Sequence, residues 1–150
     1  VTLFEQSNEE PKSKRLRYAI SGIALAALIA VALWYTFRFT PEKDTVERFM
    51  DAVVAGKLEE AYQIWHPTKN FTYKDFLSFW GPDGYYSPVK SYKIVGIDVP
   101  PRNASGVIVD VEISSYDSFP SSADQVKTAQ SREAQIWVER SDHSLSFPPP

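Results

Sequence analysis

Residues 18–37 read YAISGIALAALIAVALWYTF, twenty positions without a charge or a proline, in which only Ser21, Thr36 and the aromatic tips are polar. At about 1.5 Å per residue such a helix covers roughly 30 Å, the thickness of a bilayer's hydrocarbon core, so the stretch predicts a membrane span. A cleaved signal sequence is the rival reading. Its apolar region runs to about 7–15 residues and ends at small side chains. This one is longer and ends in Trp34-Tyr35-Thr36-Phe37-Arg38, which predicts an uncleaved anchor.

The flanks predict an orientation. Lys12, Lys14, Arg15 and Arg17 crowd the N-terminal side, whereas Arg38, Lys43 and Arg48 are spread out and mixed with Glu42, Asp44 and Glu47 on the other. The positive-inside bias then makes residues 1–17 a cytoplasmic basic tail near lipid headgroups. It places residues 41–147 across the membrane as an extracytoplasmic, periplasmic domain, followed by a proline tail at 148–150. Tyr18 at one end and Trp34, Tyr35 and Phe37 at the other suit interfacial aromatic belts. The lack of an ionisable residue within 18–37 argues against a proton or ion path along this helix.

Charge and cysteine content narrow the function classes. Residues 41–150 hold eleven Lys and Arg against sixteen Asp and Glu, a net of −5, while residues 1–40 hold five against three, a net of +2. An acidic domain is a poor match for phosphate backbones, so no nucleic-acid partner is expected. With no cysteine, neither a disulfide nor a thiolate metal site is available, which fits a bacterial envelope protein that relies on its core alone.

Beyond the span the hydrophobic period is first helical, then two. Thr40-Pro41 reads as a break, and Asp44 with Glu47 has the spacing of a capping box. Val46, Phe49, Met50 and Val53 then share one helix face that stops near Gly56. Leu58, Ala61, Tyr62 and Trp65 repeat the spacing up to His66-Pro67, and Tyr73, Phe76, Leu77 and Trp80 do so again before Gly81-Pro82. From residue 91 the chain reads as strands: 91–99, then Val107, Val109, Val111 and Ile113 alternating with polar positions, then Ala134, Ile136 and Val138, and a last short one at Leu145. Helices first and strands later predict an α+β domain with an antiparallel sheet.

The run TVERFMDAVVAGKLEEAYQIWHP at 45–67, followed by an aromatic helix and strands, resembles the opening of NTF2-like (cystatin-like α+β) domains. The resemblance spans residues 41–140 or so and implies three helices packed on a curved antiparallel sheet, on a single-pass anchor. It does not imply an activity, since that superfamily holds enzymes, ligand binders and structural modules. Such domains commonly close with a Trp-x-Ile type strand, where this chain has Ser144-Leu145-Ser146-Phe147. A short final strand would leave a sheet edge open for a partner.

Catalytic chemistry is thinly provided. The two histidines, His66 and His143, lack metal-ligand spacing, and no nucleophile elbow or phosphate loop occurs. The resemblance offers Tyr62, His66, Tyr73 and Asp110 as cone positions, yet Asp110 alternates with the apolar face and is expected in solvent. His66 reads as a helix cap. No catalytic residue, cofactor or metal site is expected; a hydrolase or isomerase using His66 is the enzymatic alternative, and a binder of a small apolar ligand in the NTF2-like cavity is another.

Docking has more to draw on. Phe71, Tyr73, Phe76, Phe79 and Trp80 fall within ten residues, and the turn Gly81-Pro82-Asp83-Gly84 leads to Tyr85 and Tyr86. Aromatics of this density serve a core or an interface. Pro82, Tyr85 and Tyr86, with Trp34 and Tyr35, are therefore the interface candidates. Gly22, Ala26 and Ala30 form a small-residue stripe suited to membrane-helix packing. The expectation is a non-catalytic accessory subunit that docks on and stabilises a larger membrane complex, with the other subunits and membrane lipids as partners. A respiratory or photosynthetic host is compatible, and no residue selects one.

Overall fold

The computed structural model describes residues 10–66, 69–101, 105–119 and 132–149. It divides into two compact units, Val1–Arg38 and Phe39–Pro150. The first is α1, Glu10–Phe37, which begins two turns before the apolar stretch. None of its apolar window is buried, and it is long and apolar enough to cross a membrane.

The second unit is α+β. Three helices, α2 (Thr40–Val54), α3 (Leu58–Trp65) and α4 (Tyr73–Trp80), precede four strands, β1 (Ser91–Asp98), β2 (Gly106–Ser114), β3 (Arg132–Glu139) and β4 (Leu145–Ser146). The strands form one antiparallel sheet in chain order, as hairpin-type connections produce.

Within the second unit one helix start departs from expectation. Asp44 is no cap: α2 begins at Thr40 with Phe39 as its N-cap, no side chain capping it, and Pro41 inside the first turn. Proline is at home there because its missing N–H would be an orphan in any case. The capping box lies instead at α4, where Thr72 accepts from the Asp75 N–H (3.2 Å) and the Asp75 carboxylate accepts from the Thr72 N–H (2.9 Å). Those bonds hold the Asp75 carboxyl below its ordinary range, the Thr72 backbone bond contributing most. Helix α2 runs out through Ala55 into Gly56 at φ 73°, a left-handed turn residue suited to glycine.

Burial follows the two periods. Val107, Val109, Val111 and Ile113 of β2 and Ala134, Ile136 and Val138 of β3 are buried on one face, where they join Val46, Phe49, Met50, Ala61, Trp65, Phe76 and Trp80. Phe49 is central, its ring 5.0 Å from Trp65, 6.2 Å from Phe76 and 5.0 Å from Trp80. Truncating such a residue typically costs about 3–5 kcal/mol. Phe79 and Phe71 extend this cluster: the Phe79 ring lies 4.7 Å from Phe147, just past β4, and Phe71 stacks on Trp65 at 6.3 Å. Most of the aromatic run is thus core.

The other sheet face is polar with one apolar pair, Ile108 opposite Trp137. A Cβ on Gly106 would meet the Trp137 ring at 2.6 Å and the Val138 carbonyl at 2.3 Å, so the ring covers the glycine. β4 pairs only with Trp137 and Val138, which leaves residues 132–136 of β3 without a strand partner on that side among the described residues.

Candidate docking site

The segment from Gly81 to Lys90 joins α4 to β1 and is fixed at both ends. Gly81 and Gly84 permit a turn too tight for a side chain: a Cβ would lie 2.5 Å from the Leu77 carbonyl at the first and 2.6 Å from the Phe79 carbonyl at the second. The turn closes with Gly84 N–H donating to Gly81 (2.9 Å), Tyr85 N–H to Ser78 (3.0 Å) and Tyr86 N–H to Phe79 (2.9 Å). The Ser87 hydroxyl donates to the Pro82 carbonyl, and the Ser87-Pro88 peptide is cis.

The second clamp comes from 45 residues away. Arg132 opens β3, and its Nη1 donates to the carbonyls of Ser87 (2.6 Å) and Tyr85 (3.2 Å). Its Nη2 reaches the Pro88 carbonyl and the Ser115 hydroxyl at 3.5 and 3.4 Å. A planar fork with several donors suits this role, as one ammonium group would not.

The clamped loop divides the two tyrosines. Tyr86 stacks on Trp80 at 4.6 Å and 25° and belongs to the core edge; burial raises its phenol above the ordinary range. Tyr85 meets Tyr86 edge-on at 5.0 Å and is 72% exposed, with Pro82 and Asp83 also in solvent. Tyr116, 54% exposed, lies just past β2, where its carbonyl accepts from the Ser91 hydroxyl at 2.7 Å. Sequence patterns point to Pro82, Tyr85 and Tyr86, and give no sign of Arg132 or Tyr116.

In α1, Gly22, Ala26 and Ala30 lie at spacings of four along an exposed helix, and a Cβ on Gly22 would touch nothing within 4 Å. Trp34 and Tyr35 are 62% and 70% exposed, and the Arg38 guanidinium sits over the Trp34 ring at 5.2 Å. Exposed apolar surfaces of this size mark sites of contact with membranes or with other proteins.

The residues considered for catalysis are not assembled. Tyr62 and Tyr73 do meet, at 5.2 Å, but the Tyr62 hydroxyl is spent on the Phe71 carbonyl at 3.0 Å. Asp110 lies on the face away from the buried valines and accepts from Gln135 at 3.0 Å. His66 caps α3 at φ 52° with its side chain exposed. No group of three metal-ligating side chains occurs among the described residues. Two surface clefts flank α3: one of about 470 Å³ beside Lys57, Glu59 and Tyr73, and one of about 320 Å³ beside Arg48, Asp51 and Ile64. Both are edged by charges and open to solvent.

The fold and loop thus define an α+β domain carrying a presented aromatic tip, in a chain that also holds an apolar N-terminal helix. Comparisons with protein-family models, with curated proteins and with solved structures gave no match.

Proposed function

We propose that this chain is a non-catalytic, single-pass membrane subunit whose NTF2-like domain docks on a larger membrane complex. The reading has α1 as an uncleaved anchor with a cytoplasmic N-terminus and the domain on the periplasmic side. Three helices over one sheet face, with the aromatic rings filling the interior, support the NTF2-like reading. The observation that carries the docking role is Tyr85, held in solvent on a loop that two glycines and the Arg132 fork have already ordered. A preordered aromatic loses little entropy on binding, which is the property of interface anchors. Lateral packing of α1 along Gly22, Ala26 and Ala30 would add a second contact.

Purification of the tagged full chain in mild detergent, with the co-eluting proteins identified, tests the reading. Stoichiometric membrane subunits that are lost in the Tyr85→Ala chain are the expected result. Recovery of the wild type as a lone monomer would overturn it.

A further inference from the structure

The two ends of the sheet differ, and one of them is where the chain enters the domain. Phe39 already packs on the domain core, and the Arg140 guanidinium lies over its ring at 5.9 Å. Arg140 begins the β3–β4 turn, and its N–H donates to the Ser105 carbonyl at 2.9 Å, next to the start of β2. Asp98, the last residue of β1, pairs with Ile108, and Gly106 pairs with Glu139, so β1 runs out at this same end. The chain leaves β1 there through Val99-Pro100-Pro101, with Val99 44% exposed and Pro101 in solvent. The opposite end carries Tyr85, Tyr116 and the Arg132 clamp.

Chain length now decides what this end meets. Between Phe37, the last residue of α1, and Phe39 there are two Cα steps, roughly 7 Å at full extension. If α1 crosses a bilayer, a domain attached through Phe39 has no slack to stand away from it. We propose that the Phe39 end of the domain rests on the membrane surface, with Val99, Pro100 and Pro101 at the headgroup boundary and Arg140 beside lipid phosphate. This rests on the anchor reading of α1. Asp98, Glu139 and Asp142 share this end with Arg140, so the contact is enforced by the tether and by apolar side chains, and it does not require anionic lipid. The polarity leaves Tyr85 and Tyr116 facing away from the bilayer.

The absence of cysteine makes a clean test available. Single cysteines at Val99, Tyr116 and Ile29 in the full chain would each carry a fluorescent label in phosphatidylcholine vesicles. Quenching would then be measured with lipids labelled at the headgroup or along the acyl chain. Headgroup quenching several-fold stronger for Val99→Cys than for Tyr116→Cys, unchanged by added phosphatidylglycerol, is expected. Equal, water-like quenching of Val99→Cys and Tyr116→Cys while Ile29→Cys responds to acyl-chain quenchers would overturn the proposal alone. Loss of the Ile29→Cys response would overturn the anchor reading beneath it.

Discussion

The Tyr92 hydroxyl donates a 2.7 Å hydrogen bond to the Asp51 carboxylate, joining the first strand of the sheet to the first helix of the domain. The same hydroxyl lies 3.3 Å from the Glu47 carbonyl. Burial, and then the Asp51 bond and the charges of Asp51 and Glu47, push the phenol well above its ordinary range. The folded state therefore holds this proton more tightly than the unfolded one. The associated stability is complete below the unfolded value of about 10 and is lost as pH rises past it towards the folded value. Tyr92→Phe should destabilise the domain by about 1 kcal/mol at neutral pH, discounted for partial exposure, and should flatten the alkaline loss. Urea midpoints of both proteins across the alkaline range would show it.

The α4 capping box predicts the opposite pH sign. Because the Asp75 carboxyl is lowered in the fold, its contribution is present above the unfolded value and disappears as pH falls through the folded one. Thr72→Ala should cost about 1 kcal/mol at neutral pH and reduce the acid sensitivity of α4, as followed by helical circular dichroism.

His66 sits at φ 52°, a conformation that charges an L side chain about 1 kcal/mol and glycine almost nothing. His66→Gly should raise the melting temperature by a few degrees. A melting temperature at or below wild type would mean that the exposed imidazole makes a contact worth more than the backbone strain.

Space is what constrains Gly106. A methyl group there collides with the Val138 carbonyl as well as with the Trp137 ring, and the carbonyl belongs to a paired strand. Gly106→Ala should destabilise the domain by about 2 kcal/mol or more, measured by chemical unfolding.

Arg132 and Tyr85 should separate stability from docking. Arg132→Lys keeps the charge but loses the fork, so the 81–88 loop should loosen, seen as faster amide exchange at Tyr85 and Ser87, with weaker recovery of partner subunits. Tyr85→Ala should change stability by less than about 0.5 kcal/mol while abolishing that recovery.

How much the residues alone disclose depends on how local the information is. The alternation of Val107, Val109, Val111 and Ile113 names a strand and its buried face without help, because the signal repeats every second residue. The start of α2 misleads because Pro41 is a breaker in mid-helix and a helix former in the first turn, and position alone distinguishes these. The Thr72 box escapes notice because its acid is Asp, shorter than the usual Glu. Tyr85 and Tyr86 are neighbours of one type, and only the stack of Tyr86 on Trp80 decides which of them faces solvent. Arg132 carries no pattern of its own; its partners at Tyr85, Ser87 and Pro88 lie more than forty residues away in the sequence.

The four tryptophans are distributed in a way that makes the protein its own optical reporter. Trp65 and Trp80 are buried 6.0 Å apart in the core, Trp137 lies half-covered on the polar face of the sheet, and Trp34 is on the apolar helix. Red-shifted emission from the first pair would register loss of the core, while Trp34 would respond to the medium around its helix. Keeping one tryptophan at a time would therefore let a single fluorimeter follow domain unfolding and the covering of the helix as separate events.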